Sequence, residues 1–192
     1  GKSYRIEIPL SGAHHIENAA LVLLTVYAQN LPLETCLNIL KKINKVAGRG
    51  MIYTLDIDGK KITLIDESYN ANPVSMAAAI RTLGGYASRK IAVLGDMLEL
   101  GQDELGLHAD IYDDLVHADV DKVYGCGPRM KTLYEILPKE MAAGWAVEPG
   151  PLVDKIQEEL QDGDVVMAKG SNASGISKLV EQLKTQFKAG HK

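Results

Sequence analysis

The sequence predicts an α/β fold: a doubly wound, mostly parallel sheet, preceded by a helical segment that belongs to another domain. Three observations predict it. From residue 51 onward, short apolar runs alternate with helical patterns, which gives a parallel sheet covered on both faces. A hairpin signal, Asp58-Gly59, opens that region. Ahead of it stand two amphipathic helices with too little strand beside them to close a core.

Taken in order, Ile16, Ala19, Ala20, Leu23, Leu24 and Tyr27 recur at three- and four-residue steps and predict a helix to about Gln29. Glu17 lies near its start, where the helix dipole favours an acid. A second helix is predicted from Pro32, through Leu33, Cys36, Leu37, Leu40 and Ile43, to Lys45. Ala47-Gly48-Arg49-Gly50 breaks it, so residues 1–50 read as the tail of one domain, residues 51–192 as the next, and Gly48-Gly50 as the linker. Met51 to Ile65 reads as two strands around Asp58-Gly59, because both central positions of a type I′ turn need positive φ.

The regular alternation follows. Helices are expected from Pro73, at Leu105–Val116, at Met130–Ile136, from Pro151 and from Ile176. Strands are expected at Lys90–Leu94, Lys122–Tyr124, Trp145–Val147 and Val165–Ala168. The arrangement is Rossmann-like.

Composition bounds the function classes. With 46% hydrophobic residues in 192 the chain can bury a sizeable core. The net charge of -4, from 21 basic and 25 acidic residues, leaves no broad cationic face for a phosphate backbone, so nucleic acid is not an expected partner. Cys36 and Cys126, far apart and without CxxC, read as reduced thiols. No run approaches the roughly 18 apolar residues of a membrane span, and GKSYRIEIPL lacks a signal-peptide core. No membrane partner and a cytoplasmic address are expected.

In such a sheet ligands bind beyond the carboxyl ends of the strands. The segments there are DESYNANP (66–73), GDMLELG (95–101), Gly125-Cys126-Gly127 and Lys169-Gly170-Ser171-Asn172, and all four should share one edge. Asp66 and Glu67 suit ribose hydroxyls, and Tyr69, Asn70, Asn72 and Pro73 suit a flat base. Asn72 as N-cap with Pro73 at N1 explains two of these with no ligand at all. Gly95-Asp96 also fits a plain turn. Lys169-Gly170-Ser171 suits a carboxylate or phosphate near a helix start, or equally an exposed lysine and a capping serine. Gly125-Cys126-Gly127 reads as a turn, because Met130 stands where a dinucleotide fingerprint needs its third glycine. No GxxxxGK[ST] occurs. His14 and His15 lack partners at metal-ligand spacing and fit a helix start or a nucleotide-adjacent role better. His108, His117 and His191 read as helix-surface or tail residues, and no metal site is expected.

Read together, GAHHIENAA (12–20), Gly48-Arg49, DESYNANP, VLGDMLELG and VMAKGS resemble the ordered motifs of the Mur ligases over roughly residues 11–183. SYNANP with GDMLELG and KGS points to the members that add D-alanyl-D-alanine to UDP-N-acetylmuramoyl-tripeptide in peptidoglycan synthesis. The resemblance implies that residues 1–50 end the central ATP-binding domain, that the rest is the C-terminal domain, and that a P-loop region and a UDP-binding domain lie outside this sequence. It implies ATP and Mg²⁺, the latter bound mainly elsewhere, an acyl-phosphate route, a monomer, and no turnover by this chain alone.

By the same resemblance Asn18 bonds the adenine, with His14 nearby, and Arg49 reaches the ribose and phosphates. Asp66 or Glu67 holds the ribose, and Tyr69, Asn70, Asn72 and Pro73 border the nucleotide. Asp96 and Lys169 serve as catalytic residues, with Glu99, Ser171 and Asn172 on the side of the incoming dipeptide. Asn172 stands where many relatives have arginine.

Three other classes compete with this reading. One is a nucleotide- or peptide-binding module without turnover. A receiver-type signalling domain shares the terminal carboxylates and lysine, but has its acceptor aspartate where this chain has Gly125-Cys126-Gly127. A dinucleotide oxidoreductase carries GxGxxG after its first strand, which this chain does not.

Overall fold

The computed structural model describes residues 3–9, 13–43 and 46–188, with the backbone alone for residues 13, 14 and 186–188. Lys45 and His191, expected at a helix end and in the tail, lie outside the described residues, as does Gly12. Contacts divide the chain into two compact units, residues 1–46 and 47–192.

The first unit holds α1 (Ala13–Ala28) and α2 (Leu33–Leu40). Ala19, Leu23 and Leu40 are buried, with Ile6, Ile8, Leu33, Cys36, Leu37 and Ile43 packed around them. Of the stripe read from the sequence, Ala19 and Leu23 are buried in this unit, whereas Ile16, Leu24 and Tyr27 are exposed. Because α1 starts three residues earlier than expected, its first turn holds no acid and Glu17 lies beyond the dipole's reach. Asn30, at φ 55, makes the turn between the helices.

The second unit opens with the hairpin β1 (Met51–Ile57) and β2 (Lys60–Glu67). Its turn residues Asp58 and Gly59 have φ 51 and 81, both positive as the type I′ reading requires. Then follow α3 (Pro73–Gly84), β3 (Lys90–Gly95), α4 (Glu104–Ala109), α5 (Ile111–His117), β4 (Lys122–Cys126), α6 (Met130–Ile136), β5 (Ala142–Ala146), α7 (Gly150–Glu159), β6 (Val165–Lys169), a 3₁₀ turn at Asn172–Ser174, and α8 (Ile176–Lys188). Two expectations shift. The single helix at 105–116 is two, broken at Asp110. The weak strand begins earlier, at Ala142, and keeps Trp145 and Ala146: a Cβ at Gly144 would stand 3.1 Å from the Tyr124 ring, so small residues let β5 pair with β4 there.

The sheet order is β1-β2-β6-β3-β4-β5, with β1 antiparallel to β2 and the remaining pairs parallel. The last strand is inserted between the first two parallel ones. Crossovers are right-handed, so the moves from β2 to β5 place α3, α5 and α6 on one face, and the return to β6 places α7 on the other. Two cores result. One packs Met76, Ile80, Leu83, Leu115, Met130 and Leu133 against the sheet. The other packs Leu152, Ile156, Ile176, Leu179 and Leu183 against the opposite face. This order excludes the receiver reading, whose parallel strands run 2-1-3-4-5.

Candidate functional site

The carboxyl ends of β2, β6, β3 and β4 gather all four polar segments at one edge, as the sequence predicts. Residues 48–50 are tied to the end of β2 rather than serving as a free linker. Gly48 N–H donates to Asp66 Oδ2 at 3.0 Å, Gly50 N–H donates to the Asp66 carbonyl at 2.9 Å, and Tyr69 N–H donates to the Gly48 carbonyl at 3.0 Å. Gly48 has φ +78, and a Cβ there would stand 2.8 Å from the Tyr69 nitrogen, so the close approach requires glycine. The result aims Arg49 at Tyr69: the guanidinium lies 4.2 Å from the ring centroid, on an exposed face.

The paired carboxylates at the end of β2 have different surroundings. Asp66 is buried, and besides Gly48 it accepts the N–H and O–H of Ser68 on Oδ1 at 3.1 and 2.6 Å. Glu67, one-third exposed, stands beside Lys169 in the β2–β6 register, its carboxylate 4.0 Å from the ammonium. The Lys169 side chain is 3% exposed, and its ammonium donates to the Asn70 carbonyl at 2.8 Å. Burial pushes its pKa below the usual lysine range, Glu67 opposes that, and Arg49 adds to it.

Asn72 caps α3: its side chain accepts the Ser75 N–H at 2.8 Å, Ser75 Oγ accepts the Asn72 N–H at 3.0 Å, and Pro73 follows at N1. The cap reading of these two residues is therefore present, with Asn72 itself exposed. Asn70 is also exposed, its side-chain oxygen accepting the Ala71 N–H at 2.9 Å.

Asp96, after β3, is 3% exposed. Its Oδ1 accepts Met130 N–H at 2.8 Å and its Oδ2 accepts Arg129 N–H at 3.3 Å, so the carboxylate caps α6, with the Arg129 guanidinium 3.5 Å away. It fills the space where a Cβ of Gly127 would stand, 2.4 Å off. Ser171 Oγ accepts Leu98 N–H at 3.0 Å and donates to the Ala71 carbonyl at 3.4 Å, joining the loops after β3 and β2. Glu99, at φ 63, and Asn172 are exposed on the same edge.

In the first unit Asn18 is exposed on α1, and the side chain of His14 lies outside the described residues. Gly125 and Cys126 belong to β4 itself, and only Gly127, at φ 109, makes a turn. Cys126 is fully buried, and burial pushes its thiol up to about 12, assisted by Asp96 and Glu148.

The largest departure from the sequence reading is His108, expected on a helix surface. It is fully buried in α4, where Nε2 accepts Met97 N–H at 2.9 Å and Nδ1 lies 2.5 Å from the Glu104 carbonyl. Its spacing from the buried Ile111 and Leu115, three and seven residues on, was the available signal. Glu104 also holds Arg129, at 2.5 Å from Nε. Among the described residues no three His, Cys, Asp or Glu side chains converge as a cation site, and no helix is long and apolar enough to cross a membrane.

Residues 52–172 match the family described as Mur ligase, glutamate ligase domain. Among curated proteins, the UDP-N-acetylmuramoyl-tripeptide--D-alanyl-D-alanine ligases of Rickettsia prowazekii and Haemophilus influenzae are 29% and 28% identical over 177 and 188 residues. The matches cover 92% and 95% of this chain but 38% and 40% of theirs. Crystal structure I of MurF from Acinetobacter baumannii superposes with a TM-score of 0.73 at 25% identity, over 94% of this chain and 39% of that one. MurF from Thermotoga maritima in complex with ADP gives 0.68 at 22% identity, over 87% and 37%, a likeness of fold. The chain thus spans about two-fifths of the length of the curated relatives it matches. By the match over residues 52–172, this chain belongs to the Mur ligase family.

Proposed function

We propose that this chain is part of an ATP-dependent ligase that adds D-alanyl-D-alanine to UDP-N-acetylmuramoyl-tripeptide, acting as a cytoplasmic monomer, with residues 1–50 ending its ATP-binding domain and residues 51–192 forming its C-terminal domain. The observation that carries the reading is the convergence, on one sheet edge, of an exposed Arg49–Tyr69 stack and the buried Lys169 beside part-exposed Glu67, within the segments that resemble the family's motifs.

The residues divide by what their groups have left to offer. Arg49, a planar cation on an exposed aromatic face, suits the phosphates and ribose of ATP. Glu67 suits the ribose hydroxyls, because Asp66 already accepts three N–H or O–H groups. Tyr69, Asn70, Asn72 and Pro73 border the base, and Asn18 on α1, with His14, is assigned to adenine. Lys169 supplies a fixed positive charge where charge builds on the reacting carboxylate and phosphoryl oxygens, and a water-poor setting strengthens it. Ser171 sets the adjoining loop, and Glu99 and Asn172 offer exposed polar groups to the dipeptide. Asp96, assigned to catalysis from the motif, is better suited to positioning, since its oxygens are spent on α6. Among the described residues no three His, Cys, Asp or Glu side chains converge to hold Mg²⁺.

The test is steady-state kinetics of the full-length protein. Arg49→Ala is expected to raise KM for ATP about tenfold and leave KM for D-alanyl-D-alanine within about twofold. An unchanged KM for ATP would remove the nucleotide assignment. With no GxxxxGK[ST] in its 192 residues, the chain by itself is expected to bind without turnover, and ligase activity from it alone would refute that.

A further inference from the structure

The loop after β3 is held at three successive amides by three different elements. Asp96 N–H donates to the Cys126 carbonyl at the end of β4 at 3.1 Å. Met97 N–H donates to His108 on α4 at 2.9 Å, and Leu98 N–H donates to Ser171 after β6 at 3.0 Å. The next residue, Glu99, is exposed and sits in the left-handed region at φ 63. A glutamate is found there only when its surroundings dictate the backbone.

His108 is the one anchor of the three whose side chain sits on a helix and at zero exposure. Since Nε2 accepts a backbone N–H, the proton sits on Nδ1 and donates to the Glu104 carbonyl, which fixes the neutral tautomer and the ring plane. Packing alone would be served as well by leucine or phenylalanine, whereas a buried imidazole is tolerable only with both nitrogens bonded. Its helix is braced in turn: Glu104 pairs with Arg129, and Arg129 with Asp96 at the start of the same loop. The contacts close a ring from Asp96 through Arg129, Glu104 and His108 back to Met97.

We infer that His108 is a positioning residue: by fixing the Met97 amide it sets the backbone of residues 96–99 and presents Glu99 to the incoming D-alanyl-D-alanine. The inference rests on the ligase reading above.

Two variants of the full-length protein test it. His108→Phe keeps an aromatic ring and removes both hydrogen bonds, and His108→Gln restores an acceptor for Met97. His108→Phe is expected to raise KM for the dipeptide about tenfold or more, as misplacement by an ångström does, with KM for ATP within about twofold. His108→Gln is expected to recover most of that, and amide exchange at Met97 to quicken in the Phe variant only. If His108→Phe fails to fold, His108→Gln with near-native dipeptide KM and a protected Met97 amide sustains the inference. Dipeptide and ATP KM rising together, or a dipeptide KM unmoved in both variants, overturns it. Failure of the unsubstituted protein to turn over the dipeptide overturns the ligase reading and this inference with it.

Discussion

Asp66 Oδ2 accepts the N–H of Gly48 at 3.0 Å from 18 residues away, so this buried carboxylate is spent on its own chain, while the adjacent Glu67 is part-exposed beside Lys169. Asp66→Asn places an NH₂ or a poorer acceptor against buried N–H groups, and is expected to cost about 2 kcal/mol or more of stability in urea unfolding. Glu67→Gln takes the carboxylate from beside the buried Lys169 ammonium, and is expected to cost on the order of 1 kcal/mol and to weaken ATP binding. A fully stable Asp66→Asn protein with weakened ATP binding would reverse the assignment.

Lys169 gives a pH signature of defined sign. Its folded pKa lies below the ordinary 10.5, chiefly through burial. Between the two values the unfolded chain holds the extra proton, so this group raises stability as pH increases through that alkaline window and costs stability below it. Lys169→Met is therefore expected to be at least as stable as the parent at neutral pH while abolishing ligase turnover. The parent should gain on the variant as pH approaches 10.5. A Lys169→Met protein markedly less stable at pH 7 would contradict the sign.

Cys126 titrates the other way. Its thiol is raised from 9.0 to about 12, so it contributes stability that is intact below about 9 and lost as pH climbs toward 12. Native Cys126 should resist iodoacetamide at pH 8, while the partly exposed Cys36 labels faster. Peptide mapping after timed labelling decides it, and equal rates would show that the burial is not maintained.

Asp96 is expected to act on stability first. Asp96→Ala leaves two N–H groups at the start of α6 and the Arg129 guanidinium without this acceptor, at a cost of about 2–4 kcal/mol. Gly127→Ala should also destabilise, because its Cβ would collide with the Asp96 carboxylate. Thermal unfolding measures both, and a native midpoint for Asp96→Ala would return the residue to the reacting groups.

The sequence by itself determined what short-range chemistry decides. Positive φ at Asp58-Gly59 made the hairpin, Asn72 and Pro73 started α3, and alternating apolar runs built a parallel sheet whose polar segments share one edge. Tertiary structure alone decided the rest, because a hydrogen-bonding group's role depends on which partners arrive from far along the chain. The Asp96 carboxylate is occupied by an N–H from 34 residues on, Ser171 reaches a carbonyl 100 residues back, and β6 enters between β2 and β3. Burial turned His108 from an apparent surface residue into a loop anchor, and closed Asp66 while leaving Glu67 partly exposed, for a physical reason that no local pattern encodes: the same side chain can bind a ligand or its own backbone, and only the tertiary fold sets which donors lie within reach.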